Sequence, residues 1–398
     1  ICALEDDQMA VLKPGSIELY DFFGDKVSMK WTHISYDACA AQKGGYDTFM
    51  QKEMHEQPYV IKETLRAHIE NNLAMPELSG LDASKINQIY FVACGTAYHA
   101  SLYAQYLLRT WIDLPVYCIS ASEFRYGNYR INENTLCIFV SQSGETADTL
   151  AALKLSKENK AQTLAVTNVL GSSLARLSDF VLYTCAGPEI AVASTKAYTT
   201  QLVLLACLCL KLASLCNGVL GNQNHMIDQL KQMPEVVEEM LQQEDKMAEF
   251  AKLLTNQKDA YFIGRQLDYL SVLEGALKLK EVSYVHADAY MAGELKHGPI
   301  ALIEKDTVVI ALATQPSVAK KTISNILETV ARGAKVILIT SKNQNAEGFD
   351  YVIRIPDVDP LFSCIPATVL LQELAYYVAK EKGCDVDKPR NLAKSVTV

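Results

Sequence analysis

The sequence predicts an α/β protein with two copies of a parallel-sheet domain, and three observations carry that prediction. Short β-rich runs alternate with helical stretches over most of the chain, which is the pattern of a parallel sheet with helices on both faces. The same order of runs returns about 171–173 residues later, far too long a period for a solenoid. The 398 residues fit two or three domains at ~150 residues each.

Taken in order, Ala10–Leu12, the turn Lys13-Pro14-Gly15-Ser16 and Ile17–Tyr20 read as strand, turn, strand, too little for a domain. From Phe49 to Asn72 the pattern is helical, broken at Gln57-Pro58, with Ile61, Leu65 and Ile69 at helical spacing. Strands follow at Ile89–Cys94, Val116–Ser120, Thr135–Val140 and Thr163–Thr167, with helices at Ala100–Trp111 and Ala147–Glu158. The echoes are Ala260–Gly264, Val308–Gln315 and Val336–Thr340, and a helical stretch, Gln229–Leu254, joins the two copies.

Composition narrows the class. Hydrophobic residues at 49% and charged residues at 21% are those of a globular protein with enough apolar material for more than one core. A net charge of -9 argues against a nucleic-acid face, while leaving room for a local cationic pocket for an anionic metabolite. The eleven cysteines are scattered without a C-x-x-C pair, so no structural zinc is expected, and a reducing, cytoplasmic setting is. The longest apolar run, Leu202–Leu210, is too short to span a bilayer, and no membrane association is expected. The chain opens on Ile1 rather than Met, so a longer parent protein is expected.

Ser141-Gln142-Ser143-Gly144-Glu145-Thr146 lies between a strand and a helix. Free backbone N–H groups, a glycine permitting close approach and three hydroxyls make a phosphate cradle there. A plain helix cap built from the same hydroxyls is the ordinary alternative. The cradle gains weight from its place at the carboxyl end of a strand, where ligands of open α/β sheets bind. The equivalent turn in the second copy, Thr314-Gln315-Pro316-Ser317, has a proline and no Ser-Gly pair, so the ligand site belongs to the first copy.

On the helix around Leu273–Glu281, Glu274, Lys278 and Glu281 share a face. Solvated ion pairs are the usual meaning of that spacing. The flanking Leu277, Leu279, Val282 and Val285 favour a packed setting, where a carboxylate beside a lysine is a poised base. His297 lies in a Gly-bounded loop, a place for a functional histidine or an incidental one. The tail from Asp385 to Val398 has no period and reads as a frayed end, and Lys394 alone says nothing.

Together these segments resemble the glutamine–fructose-6-phosphate aminotransferase (isomerising) family over nearly the whole chain. The resemblance rests on Gln51–Pro58, Ala93–Thr96, Ser141–Thr146, Val192–Ala197, Glu274–Glu281, Gly293–Pro299 and Pro389–Val398. It implies two tandem flavodoxin-like SIS (sugar isomerase) domains at 46–215 and 216–380. Residues 1–45 would be a remnant of an N-terminal glutaminase domain with its linker, and 381–398 a catalytic tail. Cys2 lies in the wrong part of the family pattern to be the glutaminase nucleophile. Ser141, Gln142, Ser143 and Thr146 are implied to hold the phosphate of fructose 6-phosphate or glucosamine 6-phosphate, and Thr96, Val192, Ser194 and Ala393 to line the sugar. Lys394 is implied to form a Schiff base with C2, Glu281 to move a proton between C1 and C2, and Lys278 to support that charge change. His297 would assist ring opening from the neighbouring subunit of a homodimer. No metal or cofactor is implied, since one carboxylate can serve two adjacent carbons. Ala97 departs from the serine common in bacterial relatives. The alternatives are a plain phosphosugar isomerase, a deglycase or deaminase of amino-sugar phosphates, and a non-catalytic sugar-phosphate sensor.

Overall fold

The runs that read as buried strands pair into two sheets in the computed structural model, which describes residues 1–31, 42–73 and 75–397. An N-terminal antiparallel sheet holds β1 (Met9–Lys13), β2 (Ser16–Tyr20) and β3 (Lys26–Val27). The first large sheet contains β4 (Gln88–Ala93), β5 (Val116–Ser120), β6 (Thr135–Ser141), β7 (Gln162–Thr167) and β8 (Phe180–Tyr183). The second contains β9 (Asp259–Gly264), β10 (His286–Met291), β11 (Val308–Ala313), β12 (Lys335–Ser341) and β13 (Tyr351–Ile355). All pairings in the two large sheets are parallel. The central strands β6 and β11 are buried at every position because helices cover both faces, which is why they read as unbroken apolar runs.

The strand orders are β5-β4-β6-β7-β8 and β10-β9-β11-β12-β13. Both are the flavodoxin-like order, in which the chain reverses direction across the sheet between its first and third strands. In the first domain that switch lies between β4 and β6, whose ends pair Ala93 with Val140. The loops leaving the two strands, at Cys94-Gly95-Thr96 and Ser141–Thr146, therefore open side by side.

Helices bind the two domains into one core. Helix Lys196–Leu215 packs on helices Gln57–Leu73 and Gly95–Trp111, and helix Leu267–Ser283 packs on Cys364–Glu381. Helices Gly95–Trp111 and Leu267–Ser283 also touch each other, so the largest apolar cluster runs through both domains. Helix Lys196–Leu215 and the segment Pro360–Glu381 are long and apolar enough to cross a membrane by length and composition, the former extending well beyond the nine-residue run that the sequence shows. Both are core elements here, with 83% and 89% of their most apolar windows buried.

Three differences from the sequence reading have physical causes. The first-domain helix starts at Gly95 rather than Ala100, because Gly95 takes a left-handed φ of 55° and turns the chain into the helix straight after the strand. Strands β8, β10 and β13 have no counterpart in the sequence pattern. They are outer strands of their sheets and incompletely buried. The tail after residue 384 is pinned rather than frayed. Val192 N–H donates to Asp387 O at 3.0 Å, and the Asp387 carboxylate accepts from Phe49 and Met50 N–H at 2.9 Å each. Residues 32–41 of the expected 1–45 segment and Val398 lie outside the described residues.

Candidate active site

The cleft at the first-domain switch point gathers residues from five parts of the chain. Its cavity volume is about 170 Å³. One wall is the Ser141–Thr146 turn. Ser141 and Thr146 hydroxyls meet at 3.1 Å, Gly144 N–H donates to Ser141 Oγ at 3.1 Å, and Ser143 Oγ receives Glu145 N–H at 3.2 Å. Thr146 occupies the helix N-cap without a capping bond from its side chain, so the hydroxyls are not there as ordinary caps. Gly144 has φ 66°, and a Cβ there would lie 2.6 Å from Ser172 Cβ. Only glycine lets the turn fold against its neighbours. Ser141, Gln142, Ser143 and Thr146 all line the cleft.

In the second domain an internal carboxylate occupies the matching turn. Gln266, with φ 54°, stands where Gly95 stands in the first domain, which sets Asp268 against Ala97. Asp268 is buried, and its carboxylate accepts from Thr314 Oγ1 at 2.5 Å, Thr314 N–H at 2.9 Å and Gln315 N–H at 3.3 Å. An internal carboxylate thus sits on the backbone donors of the matching turn, where the first domain has the small Ala97. Burial pushes the Asp268 carboxyl up to about 6 against the pull of these hydrogen bonds.

Helix Leu267–Ser283 supplies the opposite wall. Lys278 is almost wholly buried, paired with Glu281 at 2.5 Å and Glu274 at 3.5 Å. Burial works to lower the Lys278 pKa, but Glu281 and Glu274 outweigh it and hold the ammonium charged. Solvated ion pairs are therefore ruled out for Lys278 and Glu274. Glu274 also accepts from Thr96 Oγ1 at 3.0 Å and lies 2.7 Å from His99 Nδ1, tying the cleft rim of one domain to the charged helix of the other. Thr96, Lys278 and Glu281 line the cleft.

The tail closes it. Ser395 Oγ meets Ser143 Oγ at 3.0 Å, Val396 O accepts Ala147 N–H at 3.1 Å, and Arg390 stacks on Tyr284 at 4.1 Å. These bonds bring Ala393 and Lys394 to the cleft beside Val192 and Ser194. Lys394 Nζ lies 2.5 Å from the buried Glu189 carboxylate and 2.8 Å from Ala191 O.

Of the twelve residues singled out from sequence, eleven line this cleft. His297 does not: it is exposed on the 3₁₀ turn Glu294–His297. Sequence reasoning missed Gln201, a buried lining residue whose Oε1 lacks a hydrogen-bond partner, and Glu189. Among the described residues no group of three His, Cys, Asp or Glu is placed to hold a metal.

The SIS domain family matches the chain twice, over residues 83–211 and 253–377. The chain is 49% identical over 99% of its length to the glutamine–fructose-6-phosphate aminotransferase of Caldanaerobacter subterraneus subsp. tengcongensis, and spans about two thirds (66%) of that relative. The fold is similar to the C-terminal domain of glucosamine-fructose-6-phosphate aminotransferase from Francisella tularensis, with TM-score 0.84 and 37% identity over 87% of this chain and 100% of that one. It is also similar to glucosamine-6-phosphate deaminase from Thermotoga maritima, with TM-score 0.69 and 25% identity over 88% and 99%. The chain belongs to the glutamine–fructose-6-phosphate aminotransferase family, over the part of it built from two SIS domains.

Proposed function

We propose that this chain converts fructose 6-phosphate and ammonia to glucosamine 6-phosphate and water. The observation that carries the proposal is that the Ser141–Thr146 turn, Glu281 and Lys394 line one cleft. The turn holds the phosphate through backbone N–H groups and hydroxyls. Thr96, Val192, Ser194 and Ala393 position the open-chain sugar. The Lys394 amine condenses with the C2 ketone, releasing water, and ammonia then displaces the lysine to leave an imine at C2. The Glu281 carboxylate removes a proton from C1 and returns it to C2, so the C2 imine becomes an amine and C1 an aldehyde. Lys278, held charged beside Glu281, offsets the negative charge that develops as the C1 proton leaves.

His297, exposed and outside its own cleft, is assigned to ring opening in a partner's site, which makes a homodimer the working unit. The full protein is proposed to carry a glutaminase domain as ammonia source, in keeping with relatives about half as long again. The domain limits 46–215 and 216–380, with a catalytic tail from 381, belong to the same proposal. A cytoplasmic setting is supported by the ten cysteines among the described residues, all free.

The test is exchange of the C1 hydrogens of fructose 6-phosphate with solvent deuterium. Glu281→Gln is expected to slow exchange by about 10²–10⁴-fold while sugar-phosphate affinity is retained. Exchange at the wild-type rate in that variant would remove Glu281 as the base.

A further inference from the structure

We propose that Glu189 is a further catalytic residue of this site, the counter-ion that exchanges a proton with the Lys394 amine as the imine forms and then stays paired with the iminium. The inference rests on the imine reading of Lys394 given above.

Glu189 lies between β8 and helix Lys196–Leu215, and its side chain is fully shielded from solvent. Four donors converge on it. Lys394 Nζ at 2.5 Å and Ser194 Oγ at 2.9 Å reach Oε2, while Thr195 and Ala197 N–H reach Oε1 at 3.0 Å each. A buried carboxylate is tolerated only when so satisfied. Burial works to raise its pKa, and Lys394 with the two backbone N–H groups brings it below the ordinary carboxylate range.

The other charges around it are already committed. Glu53, on helix Phe49–His55, has a carboxyl pushed up to about 8 by burial and by Glu189 itself. Its Oε1 accepts the N–H groups of Ile190 and Ala191, which fixes the segment following Glu189. Lys196 pairs with Glu56 at 2.7 Å, and Lys278 with Glu281 and Glu274. Lys394 is the one cation in direct contact with Glu189 among the described residues.

The chemistry balances. The Lys394 ammonium carries three protons and cannot attack a ketone. One proton passes to Glu189, the freed electron pair forms the N–C2 bond, and a second proton moves from nitrogen to the former carbonyl oxygen, giving a hydroxyl. The proton held on Glu189 then goes to that hydroxyl, which leaves as water. One proton and one positive charge remain on the iminium, opposite a carboxylate that is again negative. Ser194, which lines the cleft, donates to the same Oε2 and so ties the acceptor to the cleft wall.

A purely structural Glu189 would anchor the tail and do nothing to proton transfer, and pH separates the two. Imine formation with fructose 6-phosphate is trapped with cyanoborohydride in the full chain from pH 6 to 9, and the Lys394 adduct is quantified by mass spectrometry. Removing the carboxylate destabilises the ammonium, so Glu189→Gln is expected to move the acid limb of adduct formation down by about 1–3 pH units. Its plateau falls about 10²-fold for want of the proton carrier. Affinity for a hexitol 6-phosphate, which has no carbonyl, should change by less than ~3-fold, since the phosphate turn is untouched. Glu189→Asp should restore part of the plateau, and remains readable if the Gln variant does not fold. An acid limb that stays in place in Glu189→Gln, or an undiminished plateau in Glu189→Asp, overturns the proposal, with or without loss of hexitol phosphate binding. If the wild-type chain forms no adduct at all, the imine reading fails and takes this inference with it.

Discussion

Glu274 is the residue on which the two domains depend for their charge balance at the cleft. Its carboxylate is almost fully buried, accepts from Thr96, faces His99 Nδ1 at 2.7 Å, and is one of two anions beside the buried Lys278. Glu274→Gln keeps the shape and removes the charge. The Gln oxygen can still accept from Thr96, so the losses are the charge-assisted contact to His99 and half of the pairing of Lys278. A hydrogen bond to a charged group contributes about 1.5–3 kcal/mol. Leaving a buried charge short of its partner costs up to about 3–5 kcal/mol, and here Glu281 limits the loss. A destabilisation of about 2–4 kcal/mol follows, which lowers the melting midpoint by roughly 4–16 °C. The assay is thermal unfolding followed by circular dichroism, with Glu274→Gln/Lys278→Met as partner variant. Removing both charges should recover part of the loss, because the anion then left without a partner, Glu281, is 20% exposed and can be hydrated, unlike the buried Lys278. A single variant within ~0.5 kcal/mol of wild type, or a double variant less stable than the single, would refute the reasoning.

Other consequences are open to direct measurement. Ser143→Ala removes a hydroxyl at the phosphate turn and should weaken binding of a hexitol 6-phosphate by about 10–150-fold, read by calorimetry, with no effect on the melting midpoint beyond a degree or two. Asp268→Ala strips the acceptor from Thr314 and Gln315 N–H groups and should destabilise the second domain by about 2–4 kcal/mol in urea unfolding. Glu53 binds its proton more tightly folded than unfolded, so it stabilises the fold at low pH. That contribution declines as pH rises from about 4.5 towards 8. Glu53→Gln should flatten the slope of melting midpoint against pH over that window.

The sequence carried the architecture wherever burial made the pattern continuous. Central strands such as β4, β6, β9 and β11 are covered on both faces and announce themselves as apolar runs. Outer strands such as β10, His286–Met291, carry polar residues because one side is open, and no pattern marks them. The phosphate turn was legible because one local stretch holds the glycine, the hydroxyls and the helix start. Glu189 was not, since a single acid after Gly187-Pro188 has no periodicity and gains its meaning only from Lys394, 205 residues away. The tail has no period of its own for the same reason: each of its anchors is a long-range bond to a different element. Asp268 had a readable signal, because setting the two repeats in register places it opposite Ala97, a charged residue against a small one.

The central claim is that a tail lysine and a phosphate turn far apart in sequence act on one sugar. Incubation with fructose 6-phosphate and borohydride, followed by peptide mass spectrometry, tests it most directly. The account predicts a single reduced hexitol-phosphate adduct on Lys394, lost in Lys394→Arg and suppressed by excess hexitol 6-phosphate. No adduct, or one carried by Lys278 or a surface lysine instead, would contradict it.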